Sequence, residues 1–351
     1  MAYISFQPSD YFNTVLWTGN SDSDDANQTI TGVGFKPDLF WSKIRSAADE
    51  HHLRDINLGN TTRIRPNSTG AANTSVCSVV PNSDGFVITG DDGTEFNKDG
   101  STYVTWNWRG AGSASSNTDG TITSTVSANT TSGVSISTYS GTGSAATIGH
   151  GLGVAPQVVI CKQLNSAQKW INYHKAIGAG NYLHLNETDA SASSSTVWNN
   201  TDPTSSVFSV GTAVNCNQSS GTYVAYCFAE KKGFSKFGSY QGNSNVDGAF
   251  VYTGFKPAWV MIKQATGGNA NEVWGIRDNK RDTFNPIAKS LFANNSSGDA
   301  TTSTHYVDFV SNGFKIRTGT ENALNTNYGY IYMAFSEESI VSSNGVPATA
   351  R

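Results

Sequence analysis

The hydrophobic pattern of this chain repeats three times in the same order. Each copy begins with a Gly-x-x-Pro turn, continues with an unbroken apolar run and reaches a lysine, at 34–43, 153–162 and 254–263. A run this short predicts a strand rather than a helix, and its continuity predicts burial on both faces. The proline stands just before each predicted strand, where a missing N–H does least harm.

Two further patterns follow each apolar run. The first is a turn before a short alternating strand, at 83–88, 206–210 and 312–316. The second is a strand rich in aromatic residues, at 103–108, 223–228 and 330–335. From the shared proline to the first tyrosine of the aromatic strand the separations are 66, 67 and 73 residues, for Pro37–Tyr103, Pro156–Tyr223 and Pro257–Tyr330. Three ordered matches at near-constant spacing predict one module used three times.

These strands and turns predict an all-β protein of three tandem sandwich-like modules, of a jelly-roll or lectin-like kind. A propeller is the alternative, but propeller blades of about 40–45 residues are much shorter than these repeats. The predicted division is an N-terminal arm at 1–14, a first module at 15–112, a Ser/Thr/Gly-rich linker at 113–131, a second module at 132–232, a third module at 233–338 and a C-terminal arm at 339–351.

The middle of each module is less regular and predicts long loops with short strands. These stretches, at 57–75, 178–195 and 285–304, are rich in Asn, Gly, Ser and Thr. Helix signals are sparse. The segment Phe284–Leu291 could form one or two helical turns, with Asn285 as the N-cap and Pro286 in the first turn.

The repeated aromatic and proline positions are the predicted structural core. Large apolar residues alternate with small or polar ones along the aromatic strands, as one-sided burial requires. Exposed platforms for stacking sugar rings are the alternative use of such residues. The predicted core positions are Pro37, Trp41, Trp106, Trp108, Pro156, Tyr226, Phe228, Pro257, Trp259, Tyr332 and Phe335.

Apolar residues in the two arms have no counterpart in the repeats, so no module core is obliged to bury them. Apolar residues outside a core usually find a partner surface. We therefore expect contacts with a neighbouring chain, in a homo-oligomer that could be a trimer, or with another protein, and the linker could reach across the same boundary. Arms that fold back on their own modules are the alternative. The candidate assembly contacts are Phe6, Tyr11, Phe12, Ile340 and Val341.

The composition is poor in charge. Charged residues make up 14% of the chain, against about 25% in ordinary globular proteins. Gly, Ser, Thr and Asn take their place, which is typical of extracellular or virion β proteins. The net charge of −4 argues against nucleic acid and anionic membranes as partners. The first residues lack the basic start and apolar run of a signal peptide, so we expect a soluble chain made in a cytoplasm and not inserted in a membrane.

The cysteines and the acidic cluster predict little chemistry. Cys77, Cys161, Cys216 and Cys227 show no metal-ligand spacing and are predicted as buried thiols, with a Cys216–Cys227 disulfide as the alternative. An acidic loop could hold Ca²⁺, but it lacks the EF-hand pattern and a solvated turn is favoured. That loop contains Asp22, Asp24 and Asp25.

Catalytic motifs are also lacking. His51-His52 and His174 are predicted at equivalent positions, with Arg277-Asp278 there in the third copy, and none has partners at ligand spacing. We therefore predict no catalytic residue, no metal ligand and no cofactor. Glycoside cleavage needs two carboxylates across a groove, so a polysaccharide-degrading enzyme is the alternative. The candidate acids do not repeat among modules: Asp38, Glu187, Asp189, Asp278 and Asp282.

The repeated motifs resemble a domain found in structural proteins of marine tailed bacteriophages, including cyanophages. The matching motifs are Gly-Phe-Lys-Pro before an apolar strand and Lys, Ser-Asn-Gly-Phe or Ser-Asp-Gly-Phe, Tyr-Val-x-Trp-x-Trp or Tyr-Val-Ala-Tyr-Cys-Phe, and Gly-Phe-Ser-Lys-Phe-Gly-Ser-Tyr-Gln-Gly-Asn at 233–243. The resemblance covers most of 15–338.

The resemblance implies a virion protein without enzymatic activity, either tail-associated or part of a tail fibre. We expect it to contact other virion proteins and, in host attachment, a host-surface glycan. No coiled-coil or repetitive shaft precedes the modules, which favours a compact component. A capsid decoration protein or head fibre is therefore the alternative location.

Overall fold

The computed structural model describes residues 6–21, 26–91, 96–267, 272–301, 304–319, 323–337, 340–341 and 347–348. Within them 44% of the chain is strand and 4% is helix, and the sheets are antiparallel. The predicted all-β class is confirmed. The acidic loop with Asp22, Asp24 and Asp25 lies outside the described residues, as does most of the C-terminal arm.

The first module has a larger and a smaller sheet. A short 3₁₀ turn at Pro8–Asp10 leads into it. Its strands are β1 (Phe12–Thr18), β2 (Ala26–Ile30), β3 (Leu39–Ile44), β4 (His52–Asp55), β5 (Thr62–Arg63), β6 (Asn73–Thr74), β7 (Ser78–Asn82), β8 (Gly85–Asp91) and β9 (Thr102–Trp108). The larger sheet has the order β1-β9-β3-β4 and the smaller one β2-β8-β7, while β5 and β6 pair with each other.

The second module repeats this plan and extends it. Its strands are β10 (Ser115–Asn117), β11 (Ser124–Asn129), β12 (Val134–Ser140), β13 (Ala146–Gly149), β14 (Val158–Gln163), β15 (Ile171–His174), β16 (Asn181–His184), β17 (Ala192–Ser193), β18 (Val207–Val210) and β19 (Thr222–Phe228). The larger sheet runs β10-β11-β12-β19-β14-β15-β16-β17, and β13 pairs with β18. Two single-turn helices, α1 (Ser195–Trp198) and α2 (Val214–Asn217), lie in its loops.

The third module follows after a short turn. Its strands are β20 (Ser235–Gln241), β21 (Phe250–Tyr252), β22 (Trp259–Gln264), β23 (Gly275–Asp278), β24 (Lys289–Phe292), β25 (Ala300–Thr301), β26 (Val307–Val310), β27 (Gly313–Ile316) and β28 (Gly329–Phe335). The larger sheet runs β20-β28-β22-β23-β24-β25 and the smaller one β21-β27-β26. Beyond it, β29 (Ile340–Val341) pairs with β30 (Pro347–Ala348).

The apolar runs form the centre of each larger sheet, as predicted. β3, β14 and β22 are buried at every position. Each lies between the aromatic strand of its module (β9, β19 or β28) and the next strand along the chain. The glycines of the preceding turns, Gly34, Gly153 and Gly254, have φ of +79°, +70° and +85°, values that side chains with a Cβ rarely adopt.

Burial on both faces arises because each larger sheet lies between two cores. On β3, Phe40 and Ile44 pack towards the smaller sheet of the first module. Leu39 and Trp41 point the other way, into a cluster that also contains residues of the second and third modules. The second and third modules have local cores of their own. Three modules therefore pack around one shared core.

Two irregular segments differ from their predictions. The linker at 113–131 instead supplies β10 and β11, which extend the larger sheet of the second module. Phe284–Leu291 forms no helix. The amide of Asn285 does not cap a helix but bonds the backbone N–H and C=O of Phe309, both at 2.9 Å, and this ties the segment to β26.

The cysteine prediction is confirmed. All four thiols are buried and none forms a disulfide. Burial raises the pKa of Cys161 to about 12, so this thiol is protonated and unreactive at neutral pH.

Trp259 provides a test of the shared core. It is 1% exposed and belongs to the central cluster. Trp259→Ala is expected to lower the free energy of unfolding by about 3–5 kcal/mol, from lost transfer energy and the cavity left behind. Urea unfolding followed by circular dichroism measures it. Phe284→Ala is the matched control, because Phe284 is 84% exposed; an equally small loss in both variants would contradict the assignment.

Candidate functional site

The three modules meet at a triangle of aromatic rings. Trp108, Phe228 and Phe335 end the aromatic strands β9, β19 and β28 and are almost fully buried. Their ring centroids lie 6.3 Å (Trp108–Phe228), 6.0 Å (Phe228–Phe335) and 5.7 Å (Trp108–Phe335) apart. Each pair is edge-on, a geometry that aromatic rings favour. One residue from each module therefore lies near a common centre.

Matched backbone hydrogen bonds join the modules in a ring. A backbone N–H in one module donates to a carbonyl two residues after the repeated lysine of the next. The bonds are Ala72 N to Leu164 O at 2.8 Å, Ser191 N to Ala265 O at 3.0 Å and Asp299 N to Arg45 O at 2.8 Å. The third bond runs from the third module back to the first, so the ring closes. We call these contacts the 1–2, 2–3 and 3–1 junctions.

Side-chain ring N–H groups make a second matched set across the same junctions. Trp170 Nε1 donates to Arg65 O at 3.0 Å, and Trp274 Nε1 donates to His184 O at 2.9 Å. At the 3–1 junction the equivalent residue is His51. Its Nδ1 accepts a hydrogen bond from Trp41 Nε1 at 2.9 Å, which leaves Nε2 as the donor to Phe292 O at 3.0 Å.

A third set of equivalent positions holds Asp55, His174 and Asp278, which face β3, β14 and β22 at the same register. Asp55 Oδ2 accepts from Tyr226 Oη at 2.6 Å, and Asp278 Oδ2 accepts from Trp106 Nε1 at 3.0 Å. At the 2–3 junction the residue matching Tyr226 and Trp106 is Met333, which cannot donate. There His174 Nε2 lies 3.3 Å from Tyr332 O and supplies the donor itself. An aspartate therefore stands at this position where the adjacent module offers a donor, and a histidine stands there where it offers only an acceptor.

Burial controls the protonation of these groups. It raises the pKa of Asp55 to about 6, against the hydrogen bonds from Tyr226, Leu58 and Asn57 that lower it. It lowers the pKa of His51 to about 3 and that of His174 to about 4. Both histidines are therefore neutral at pH 7, and His51 needs the neutral form to accept at Nδ1 while it donates at Nε2.

The repeated lysines also serve two of the junctions. Lys162 Nζ donates to Thr69 O at 2.9 Å and Lys263 Nζ to Thr188 O at 2.9 Å, each in the preceding module. Burial lowers the pKa of both to about 8. Lys43 departs from the pattern, since its Nζ donates to Ile44 O at 2.8 Å.

The 3–1 junction has a buried ion-pair network. Arg281 lies between two carboxylates, with Nε 2.6 Å from Asp278 Oδ2 and Nη1 2.9 Å from Asp299 Oδ1. Asp299 Oδ2 also lies 2.8 Å from Arg45 Nε in the first module. The Arg281 guanidinium lies over the Trp106 ring at 5.7 Å. This junction joins the first and last modules, which no peptide link connects directly.

The predicted core residues are buried, which favours packing over an exposed platform. Trp41, Trp106, Trp108, Tyr226, Phe228, Trp259 and Phe335 all belong to the shared core. Tyr332 lies in the local core of the third module. Pro37, Pro156 and Pro257 are buried just before the central strands.

The N-terminal residues predicted as assembly contacts pack on their own chain. Phe12 is fully buried, with its ring 5.3 Å from that of Phe335, so it offers no surface to a neighbour. The Phe6 ring lies 4.9 Å from Tyr11 and 5.4 Å from Phe234 of the third module. These ring contacts hold the N-terminal arm against the shared core. Ile340 and Val341 form β29, and their side chains lie outside the described residues.

The histidine alignment predicted from spacing is wrong. Strand pairing places Leu39 opposite Asp55 and Val158 opposite His174. His174 therefore matches Asp55, whereas His51 matches Trp170. The loops after the two central strands have equal length, since Leu39 and Asp55 are 16 residues apart, as are Val158 and His174. The prediction used an approximate distance from the central strand, which does not resolve the four residues between His51 and Asp55.

One polar crevice opens where the first module meets the end of β11, with a volume of about 350 Å³. Asp38 lies within it at 3% exposure, and its Oδ2 accepts from Gly112 N at 3.3 Å. Lys36 and Arg109 are exposed at its rim. The Arg109 guanidinium lies over the Tyr11 ring at 5.6 Å. Sequence patterns did not single out this cluster as a site, because its members lie far apart along the chain.

The candidate acids for glycoside cleavage have separate partners. Glu187 pairs with Lys169 at 3.4 Å, Asp189 lies 3.9 Å from His184, and Asp282 pairs with Lys289 at 3.5 Å. Asp278 is held in the ion-pair network. Across the ranges that the structure describes, no three His, Cys, Asp or Glu residues group as metal ligands, and no helix is long and apolar enough to cross a membrane.

Comparison with known proteins gives one match. The model of a family described only as a domain of unknown function matches residues 7–339, and so spans all three modules. No curated protein and no solved structure matches.

The Asp55–Tyr226 bond provides a test of the 1–2 junction. Tyr226→Phe leaves a buried carboxylate oxygen without its donor, and is expected to cost about 1–3 kcal/mol of stability. The loss should be larger at pH 8 than at pH 5, because Asp55 is protonated at the lower pH. Urea unfolding at both pH values measures it, with exposed Tyr252→Phe as the control. Equal losses at both pH values would argue against a carboxylate partner.

Acidification tests the buried histidines. A histidine whose pKa is lowered on folding stabilises the protein above its unfolded value of about 6.5, and this stability is lost as the pH falls below it. With a folded pKa of about 4, His174 should cost about 2 kcal/mol between pH 7 and pH 5. His174→Gln should therefore lose less stability than the wild type over this interval. Protonation of Asp55 raises stability over the same interval, but it does so equally in both proteins. If the variant and the wild type lose the same stability between pH 7 and pH 5, His174 is not a neutral buried histidine.

Proposed function

The chain belongs to the DUF7483 family, whose function is unknown. We propose that it is a non-enzymatic structural protein of a tailed-bacteriophage virion, located at the tail and contributing to host attachment. In this role one chain supplies a closed unit of three similar modules. The resemblance of the repeated motifs to marine phage structural domains supports this proposal.

The observation that carries the proposal is the closed ring. Each junction is head-to-tail, using one side of a module and the opposite side of the next, and such interfaces close only when the rotation between units is right. Three units with a common aromatic centre provide that rotation. Virion parts such as fibres and capsids are built on rotational symmetry, and a pseudo-threefold unit fits a threefold position.

The use of the buried polar residues supports a structural role. Catalytic sites hold ionisable groups with shifted pKa values in a cleft that a substrate can reach. Here burial shifts the pKa values of Asp55, His51 and His174, but these residues and Asp278 bond groups of the adjacent module. Their hydrogen bonds join one module to the next.

The outer surfaces support attachment, because the modules resemble each other inside and differ outside. Phe250 on the edge strand β21 is 49% exposed and is followed by Tyr252 at 64%. Strand pairing matches Phe250 with Thr29 and Thr147 in the other modules. The charged residues of the polar crevice likewise belong to the first module alone. One scaffold thus carries different surfaces on its three sides, as a protein that recognises several features needs.

A capsid decoration protein is the second candidate, and the same pseudo-threefold arrangement favours it. A single chain of this form could occupy a local threefold position on a capsid without oligomerising. The two candidates differ in location and not in chemistry.

Immunogold labelling of intact phage particles tests the proposal. Antibodies against this chain should place gold on the tail, and antibodies first absorbed with the purified protein should give none. Gold confined to the head would replace the tail assignment with the decoration protein. Protein found in infected cells but absent from purified particles, by mass spectrometry, would refute a virion role altogether.

A further inference from the structure

The polar crevice breaks the threefold pattern of the molecule. Three matching backbone hydrogen bonds, one in each module, identify the positions equivalent to Arg109: Arg109 N to Tyr11 O, Ala229 N to Gly133 O and Ser336 N to Phe234 O. A second matching set identifies the positions equivalent to Asp38, just before the central strands. Its bonds are Asp38 N to Trp108 O, Gln157 N to Phe228 O and Ala258 N to Phe335 O. The first module therefore has Asp38 and Arg109 where the second has Gln157 and Ala229 and the third has Ala258 and Ser336. The shared packing does not require this charged set.

The crevice has a rigid floor. The segment Gly110–Gly112 is held by Asn129 Nδ2, which donates to Gly110 O at 2.9 Å, and by Ser127 Oγ, which donates to Gly112 O at 3.1 Å. A Cβ on Gly110 would lie 2.9 Å from the Cβ of Asp38, so the segment approaches the carboxylate as only glycine allows. Ser127 and Asn129 belong to β11, in the segment between the first two modules.

The charges at the crevice are of both signs. The Arg109 guanidinium is held against the Tyr11 ring, a contact that orients its planar donors. Lys36 adds a second cation at the rim. Asp38 lines the same crevice, and within the described part of the chain its buried Oδ1 has no hydrogen-bond partner. Two cations and one carboxylate leave the crevice with an excess positive charge, on a chain whose net charge is −4.

We propose that this crevice binds a single acidic sugar unit, of the uronic acid kind. The Arg109 fork and Lys36 bind the sugar carboxylate, since guanidinium groups pair with carboxylates in bidentate geometry. The polar floor serves the hydroxyl groups, and the Tyr11 edge borders the ring. A volume of about 350 Å³ lies at the lower end of the range for small-ligand pockets, about 300–1,000 Å³.

This inference deepens the proposed attachment function and rests on it for its biological meaning. It names the surface chemistry that the protein recognises: an anionic polysaccharide. The binding itself is a property of the purified chain and does not depend on where the protein lies in a virion.

Ligand titration followed by saturation-transfer NMR tests it. The probes are D-glucuronate, D-glucose and acetate, added to the full-length protein at low ionic strength. Glucuronate should bind about tenfold more tightly than either glucose or acetate, because only it offers both the carboxylate and the hydroxyl groups. Arg109→Ala should weaken glucuronate binding about tenfold or more, and Arg109→Lys should restore only part of it, because lysine lacks the planar fork.

The matched control is Lys256→Ala. Lys256 occupies the position of Lys36 in the third module, outside the crevice. Lys36→Ala should weaken glucuronate binding and Lys256→Ala should leave it unchanged, with circular dichroism showing that each variant is folded. Equal affinity for acetate and glucuronate, no detectable glucuronate binding, or equal effects of the two lysine variants would each overturn the proposal. If tail labelling succeeds and glucuronate fails to bind, only this inference falls.

Discussion

The fold depends on the packing of three aromatic strands around one centre. A module of this size has a core between its own two sheets, but the other face of its larger sheet is equally apolar. That face is buried only when two more modules cover it. Trp108, Phe228 and Phe335 are the point where the three faces meet. The rest of the architecture, including the arm that brings Phe6 onto Phe234, completes this burial.

Burial of this kind makes every polar group at a junction costly unless it has a partner. At one set of equivalent positions the three junctions supply such a partner with different residues. Asp55 accepts from Tyr226, Asp278 accepts from Trp106, and His174 meets a carbonyl where methionine replaces the donor. Where the residue on one side of a junction differs, its hydrogen-bond partner on the other side differs as well. The three junctions are equivalent in shape but differ in chemistry.

Much of the fold follows from the sequence, because its strongest signals are local. Gly-x-x-Pro before an apolar run, and alternation in the aromatic strands, depend only on neighbouring residues, and they located β3, β14 and β22. The shared core does not follow, because an apolar run shows that a face is buried and not what covers it. The histidine alignment failed because an approximate distance from the central strand does not resolve the four residues between His51 and Asp55. The crevice joins Lys36, Asp38 and Arg109 through strand pairing that no spacing rule reveals. The segment at 113–131 looked like a linker because Ser and Thr on an exposed edge strand have the same composition as a loop.

The 3–1 junction has a consequence for how the unit survives dilution. A ring made of separate subunits falls apart when its concentration drops below the dissociation constant. Here the last module is tethered to the first through the second, so the contact among Arg45, Asp299 and Arg281 re-forms at an effective concentration that the tether sets and the surroundings do not change. A threefold unit made as one chain therefore keeps its geometry at any dilution, and every chain carries all three modules.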